Sequence, residues 1–175
     1  TKKDSTIMGD LKNLNNEEAV SKLKELAEDI RICMFCTDLS HVPFSTRPMS
    51  VQEVDEFGNI WFLSGADSDK NFDIKQDEKV QLLFAKTASS EYLNVFGKAF
   101  IYKDKSTIEE KWSPIAKAWF TEGKDDPNLT VIRVQPEHTY YWDTKSGKVV
   151  SLLKIAVGAV IGKPLDDGIE GKLSV

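Results

Sequence analysis

The sequence predicts a mainly β protein, an antiparallel barrel with helices closing its ends or its side. Two observations lead there. About seven stretches carry the two-residue apolar period of strands, and far fewer have helical spacing. The links between them are short and hairpin-like, with no strand–helix–strand alternation, no repeat and no dividing linker in 175 residues. A chain this rich in strands avoids open edges by closing its sheet on itself. Residues 1–175 read as one domain.

Residues 1–14 are polar and expected to fray. Asn15 reads as a helix N-cap, with Glu18 placed to complete a capping box. Over 15–30, Val20, Leu23, Leu26, Ala27 and Ile30 recur at helical spacing, opposite Lys22, Lys24, Glu25 and Glu28. The period shortens to two over 30–37. A turn-rich link at 38–44, containing Pro43, leads to a strand over 46–54. Asp55-Glu56-Phe57-Gly58-Asn59 is a hairpin connection in which Gly58 supplies a positive φ, and 60–64 returns beside 46–54.

A short helix follows over 68–76, then strands over 79–85 and 92–102 joined by a small polar loop at 87–90. Ser106 caps a helix over 106–112, and Pro114 opens another over 114–120. A turn at 125–128 precedes strands over 129–134 and 139–143. An apolar helix over 151–161 and a polar tail over 162–175 complete the chain.

Composition narrows the function classes. Charged residues make up 29% and apolar residues 41%, which excludes wholesale disorder. The net charge of −5 gives no general attraction for nucleic acid or an anionic membrane. The longest apolar run, 155–161, is far short of the ~20 residues that cross a bilayer. Cys33 and Cys36, three apart on a strand, read as two buried free thiols in a reducing cytoplasm. His41 and His138 stand in no serine or cysteine constellation, so no hydrolase triad is present. The Asp125-Asp126 and Asp166-Asp167 pairs read as solvated turns.

Three elements can carry chemistry: Arg47-Pro48-Met49-Ser50-Val51-Gln52, Phe62-Leu63-Ser64, and Lys70 at the start of a short helix. If the Asp55–Asn59 hairpin makes the first two neighbours, Arg47, Ser64 and Lys70 meet at one rim. A guanidinium fork, an ammonium, a hydroxyl and a helix N-terminus together suit a phosphate. Spacing alone fits equally well with Arg47 pairing a surface carboxylate. Trp112, Trp119 and Phe120 read as packing residues or as the lining of a substrate cleft.

Those segments, with the Asp55–Asn59 hairpin and Ser68-Asp69-Lys70, resemble the flavin-binding part of the pyridoxamine 5′-phosphate oxidase-like family of FMN-binding split β-barrels. Val95-Phe96-Gly97-Lys98-Ala99 resembles its G-K-A strand. Gln135-Pro136-Glu137-His138-Thr139-Tyr140-Tyr141-Trp142 resembles its proline-led late strand, and Trp119-Phe120-Thr121-Glu122-Gly123 resembles the general stress protein 26 subgroup. The order and spacing agree from about residue 19 to 154.

The resemblance implies a Greek-key split barrel that binds FMN, with FAD as the alternative, in a cytoplasmic homodimer. Arg47 and Lys70 would take the phosphate, with Ser64 assisting. Met49, Ser50, Val51 and Gln52 would run beside the ring and ribityl chain, and Leu63 stands where the family often has Tyr. Trp142 would approach the flavin, often across the dimer interface; by itself it reads as part of a half-buried strand.

Three departures qualify the likeness. Asp69 precedes Lys70 where a second cation often stands, and Tyr92 replaces a flavin-contacting Gln. The R-x-H pair that handles pyridoxamine phosphate is missing after Trp142. The implied function is a flavin-dependent oxidoreductase of another substrate, or a flavin-sequestering stress protein without turnover. A cofactor-free barrel acting as an interaction module is the third possibility.

Overall fold

A computed structural model describes residues 10–144 and 168–175. In chain order the elements are β1 (Asp10–Leu11), β2 (Leu14–Asn15), α1 (Asn16–Ile30), β3 (Ile32–Thr37), β4 (Ser45–Ser50), β5 (Glu53–Val54) and β6 (Ile60–Gly65). Then come α2 (Asp69–Gln76), β7 (Lys79–Lys86), β8 (Glu91–Tyr102), α3 (Lys105–Lys111), 3-10 turns at Pro114–Ala118 and Gly123–Asp125, β9 (Leu129–Thr144) and β10 (Gly168–Ser174).

The run expected as one strand over 46–54 folds as two, and this break closes the barrel. β4 pairs antiparallel with β3, while β5, three residues on, pairs with β6. The ladder then runs β4–β3–β7–β8–β9–β6–β5, antiparallel throughout. The expected contact of 46–54 with 60–64 is therefore reduced to the pairing of Glu53 and Val54 and a bond from the Gln52 N–H to the Trp61 carbonyl. Gly58, at φ 79°, makes the turn between β5 and β6, in a region glycine enters without a Cβ penalty.

Phe35 and Phe62 meet edge to face inside the barrel, 5.2 Å between centroids, among Leu82, Val95 and Val134. α1 covers one end with Ala19, Leu23, Leu26 and Ala27. Its N-cap is Asn15, as expected, but no side chain caps it, so the capping box does not form. A second cluster lies outside β6, where Trp61 meets Ile108, Phe120, Leu129 and Val131. β6 thus buries both faces, as its unbroken apolar run allows.

Other sequence expectations are corrected. Part of each polar end is paired: β1 and β2 lie parallel to β10, which lies antiparallel to β9. Asp104, not Ser106, caps α3, accepting the Thr107 N–H at 2.9 Å. The helix expected over 114–120 is a 3-10 turn. The strands expected over 129–134 and 139–143 are one, because Pro136 and Glu137 sit in a bulge. Gly97 pairs with Pro136 and Phe96 with His138. A Cβ on Gly97 would lie 2.1 Å from the Gln135 carbonyl oxygen, so this bulge demands the glycine of the G-K-A run. Cys33 and Cys36 are buried free thiols. No described helix is long and apolar enough to cross a membrane. The expected helix over 151–161 lies outside the described residues.

Candidate functional site

β4 gives one edge to β3, and β6 gives one edge to β9. Their other edges part beyond the bond from the Gln52 N–H to the Trp61 carbonyl, 2.8 Å. The Val51 N–H turns the other way, to the Arg31 carbonyl at 2.9 Å. By strand alternation the main-chain groups of Ser50 therefore face the gap, as do those of Leu63, two residues past Trp61. Pro48 shares the gap-facing phase of Ser50, where its missing N–H removes no ladder bond.

A cavity of about 530 Å³ fills this gap. Met49, Ser50 and Gln52 form one wall, with Leu63 and Ser64 opposite. Lys70, from the first turn of α2, stands at one end. Ile115, Ala116, Trp119 and Phe120 make an apolar wall from the 3-10 segment and the residues after it. Ala116 and Phe120 anchor that wall in the second core, whereas Trp119 is 74% exposed. Trp112 packs against the same core and does not line the cavity. Among the described residues, Lys70 is the only titratable one that lines the cavity.

The structure thus brings Met49, Ser50, Gln52, Leu63, Ser64 and Lys70 together. Arg47 stands behind the wall. Its Nη1 donates to Thr37 Oγ1 at 2.6 Å and to the Phe35 carbonyl at 3.3 Å, and its Nη2 lies 3.7 Å from Asp73 Oδ2. The carboxylate partner that spacing allows for Arg47 is present, as Asp73. Burial pushes the Lys70 ammonium below its ordinary pKa, and the Arg47 cation pushes it further; Asp67 and Asp69 oppose both. A bound anion would favour the charged form of this lysine.

Ser64 is engaged rather than free. Its hydroxyl donates to Asn71 Oδ1 at 2.6 Å, Asn71 donates to Thr130 Oγ1 at 2.9 Å, and Thr130 donates back to the Ser64 carbonyl at 2.8 Å. Val51, expected beside the ring, does not line the cavity: its side chain is fully buried in the main core, and its N–H and carbonyl both turn to Arg31, at 2.9 and 3.1 Å. Trp142 is not in the cavity. It lies on the outer face of β9, paired with Tyr92 and Glu170, its ring 4.8 Å from that of Tyr140. Thr37, Asn71 and Asp73 escaped sequence reasoning. The available signal was Asp73 three residues after Lys70, on one face of a helix, and a threonine closing an apolar strand.

Comparison with known proteins bears on this geometry. The family described as pyridoxamine 5′-phosphate oxidase like matches residues 18–166. The chain belongs to that family. Protein bli-3 of Neurospora crassa is 27% identical over 128 residues, 68% of this chain and 61% of that protein. General stress protein 26 of Bacillus subtilis is 28% identical over 97 residues, 55% of this chain and 56% of that protein. The chain thus spans about three-fifths of the length of these relatives.

Among solved structures, one from Jannaschia sp. CCS1 described as a general stress protein 26 has a TM-score of 0.72 at 21% identity, covering 91% of this chain and 99% of its own. The general stress FMN/FAD binding protein of Xanthomonas citri has a TM-score of 0.62 at 24% identity, covering 72% and 89%. Both share the split-barrel fold of this chain.

Proposed function

We propose that the cavity between β4 and β6 binds FMN and that the protein is a flavin-dependent oxidoreductase of the general stress protein 26 type. The observation that carries this is a cavity bordered by two strand edges and lined by Lys70, with the Arg47 guanidinium behind its wall near enough to act on the Lys70 charge. The flavin fits what the cavity offers. Arg47 and Lys70 would hold the phosphate, and Asn71 and Thr130 fix Ser64 beside them. The main-chain groups of Ser50 and Leu63 would meet the polar edge of the ring, while Met49 and the 115–120 wall would exclude water from its apolar part. The Xanthomonas citri protein, named for FMN and FAD, supports a flavin as the ligand.

A bound flavin supplies reversible electron transfer. The chain's own residues bind it, orient it and shield it. With Lys70 committed to the phosphate, no lining side chain among the described residues remains to act as acid or base. This same observation favours a second reading, a flavin-holding protein without turnover. Neither reading includes oxidation of pyridoxamine phosphate, for which the sequence offers no R-x-H pair after Trp142.

A homodimer is part of the proposal, in a cytoplasmic setting. Met34 on β3 faces Leu83 on β7, and Tyr92 on β8 faces Trp142 on β9, and all four are exposed. Ile32, exposed on the same sheet, also lines the cavity. A second copy covering this apolar face would bring Trp142 to the other copy's cavity.

The test is an absorbance spectrum of the purified protein, with mass analysis of the ligand released on denaturation. Flavin bands and FMN are expected, and a colourless protein that takes up neither FMN nor FAD on titration would refute the reading. Anaerobic NADH or NADPH then separates the alternatives. Rapid bleaching marks a reductase, and persistent oxidised flavin marks a holder.

A further inference from the structure

Building on the reading of the cavity as a flavin site, we infer that Thr37 is a positioning residue for the cofactor's phosphate, held by Asp73 and acting through Arg47. Thr37 ends β3 opposite Ser45, while Arg47 lies opposite Phe35. Thr37 and Arg47 are therefore diagonal neighbours on one face of the ladder. Asp73 stands one turn after Lys70 on α2, so that helix delivers both a cation and the carboxylate that orients the other cation.

The bonds close a ring. The fully buried Thr37 hydroxyl accepts from Arg47 Nη1 at 2.6 Å and donates to Asp73 Oδ2 at 2.6 Å. That oxygen in turn faces Arg47 Nη2 at 3.7 Å. A buried hydroxyl is costly unless bonded, and here both of its bonds go to charged groups behind the cavity wall, the Arg47 guanidinium and the Asp73 carboxylate. Guanidinium has five N–H donors in a fixed plane. The two on Nη1 are committed to Thr37 and Phe35, which fixes the plane; Nη2 faces Asp73, and Nε is left for a bound anion. An arginine oriented before binding loses less freedom when the phosphate arrives.

A rival role has the opposite sign. If Asp73 and Thr37 competed with phosphate for Arg47, removing the hydroxyl would free the guanidinium and tighten binding. The experiment compares dissociation constants for FMN and riboflavin, followed by flavin fluorescence, in the full chain and its variants. Riboflavin lacks the phosphate and reports only the ring slot.

Thr37→Val is expected to weaken FMN about tenfold or more, the loss of one charge-assisted bond, while riboflavin binding stays unchanged. Thr37→Ser, which keeps the hydroxyl, is expected to restore FMN binding. In an Arg47→Ala background Thr37→Val should add nothing. Equal loss for both flavins, no loss, or tighter FMN binding overturns the inference. Should Thr37→Val not fold, Thr37→Ala, with room for a water, carries the same comparison. The Arg47→Ala/Lys70→Ala double variant separates the two levels. If it keeps the wild-type preference for FMN, the phosphate site falls and this inference with it. If it loses that preference while Thr37→Val keeps it, only the inference falls.

Discussion

Replacing Asp55 should destabilise the protein by an amount the structure allows to be worked out. Its Oδ1 accepts the Phe57 N–H at 3.0 Å and the Asn59 N–H at 2.9 Å, its Oδ2 accepts the Trp61 indole N–H at 2.8 Å, and both oxygens face Asn59 Nδ2. This carboxylate ties the β5–β6 hairpin to the strand that forms the far wall of the cavity. Asp55→Ala strands the indole N–H of Trp61, which is 9% exposed, at about 1–3 kcal/mol. The hairpin amides are more exposed and water can reach them, so their loss adds about 1 kcal/mol. The expected total is about 2–4 kcal/mol in urea denaturation.

The pH dependence is a second arm of the same test. Burial alone would push the Asp55 carboxyl up, but the hydrogen bonds from Asn59, Trp61 and Phe57 outweigh it and hold the group below its ordinary 3.8. A depressed folded pKa means the contribution is fully present above the unfolded pKa and is lost as pH falls through the folded one. The gap between wild type and Asp55→Asn should therefore be constant near neutrality and shrink below about pH 4. An Asp55→Ala protein within about 0.5 kcal/mol of wild type, a surface-like effect, would refute the reasoning.

Three further outcomes are expected. Gly97→Ala forces a methyl to within 2.1 Å of a backbone oxygen and should cost about 3 kcal/mol or more by denaturation, with the bulge disrupted; a neutral change would contradict the register. FMN affinity should be flat near neutrality and fall at alkaline pH, beginning below the usual lysine range, because Lys70 starts from a lowered pKa and must be protonated to hold phosphate; riboflavin affinity measured alongside should not follow. Leu83→Asp should yield a monomer by light scattering if the exposed face of β3, β7, β8 and β9 is covered by a second copy, and an unchanged mass in both proteins would remove that role from the face.

Much of this was legible in the chain because local physics decides it. The apolar faces of α1, β7 and β8 follow from periodicity, and the Asp55–Asn59 turn from its glycine and aspartate. Lys70, Ser64, Met49, Ser50 and Gln52 could be gathered around one gap from a hairpin and the start of a helix, whereas Arg47 stands behind its wall and Val51 in the core. Long-range pairing was not legible. Nothing local says that 46–54 changes partners part-way, from β3 to β6, although that switch opens the cavity. Residues 168–174 looked polar because β10 packs only part of its surface, with Leu173 buried. The strands over 129–134 and 139–143 looked separate because the bulge that joins them across Pro136 is built with Gly97 on another strand. Thr37 and Asp73 were invisible as site residues because their meaning depends on Arg47 lying across the ladder. Trp142, expected near the flavin by resemblance, lies around the sheet from the cavity of its own chain.

The most direct test of the central claim is a crystal structure of the protein with FMN. The account expects the phosphate within hydrogen-bond reach of both the Arg47 guanidinium and Lys70 Nζ, and the ring between the edges of Ser50 and Leu63. FMN bound elsewhere on the barrel, with Arg47 and Lys70 untouched by its phosphate, would contradict it.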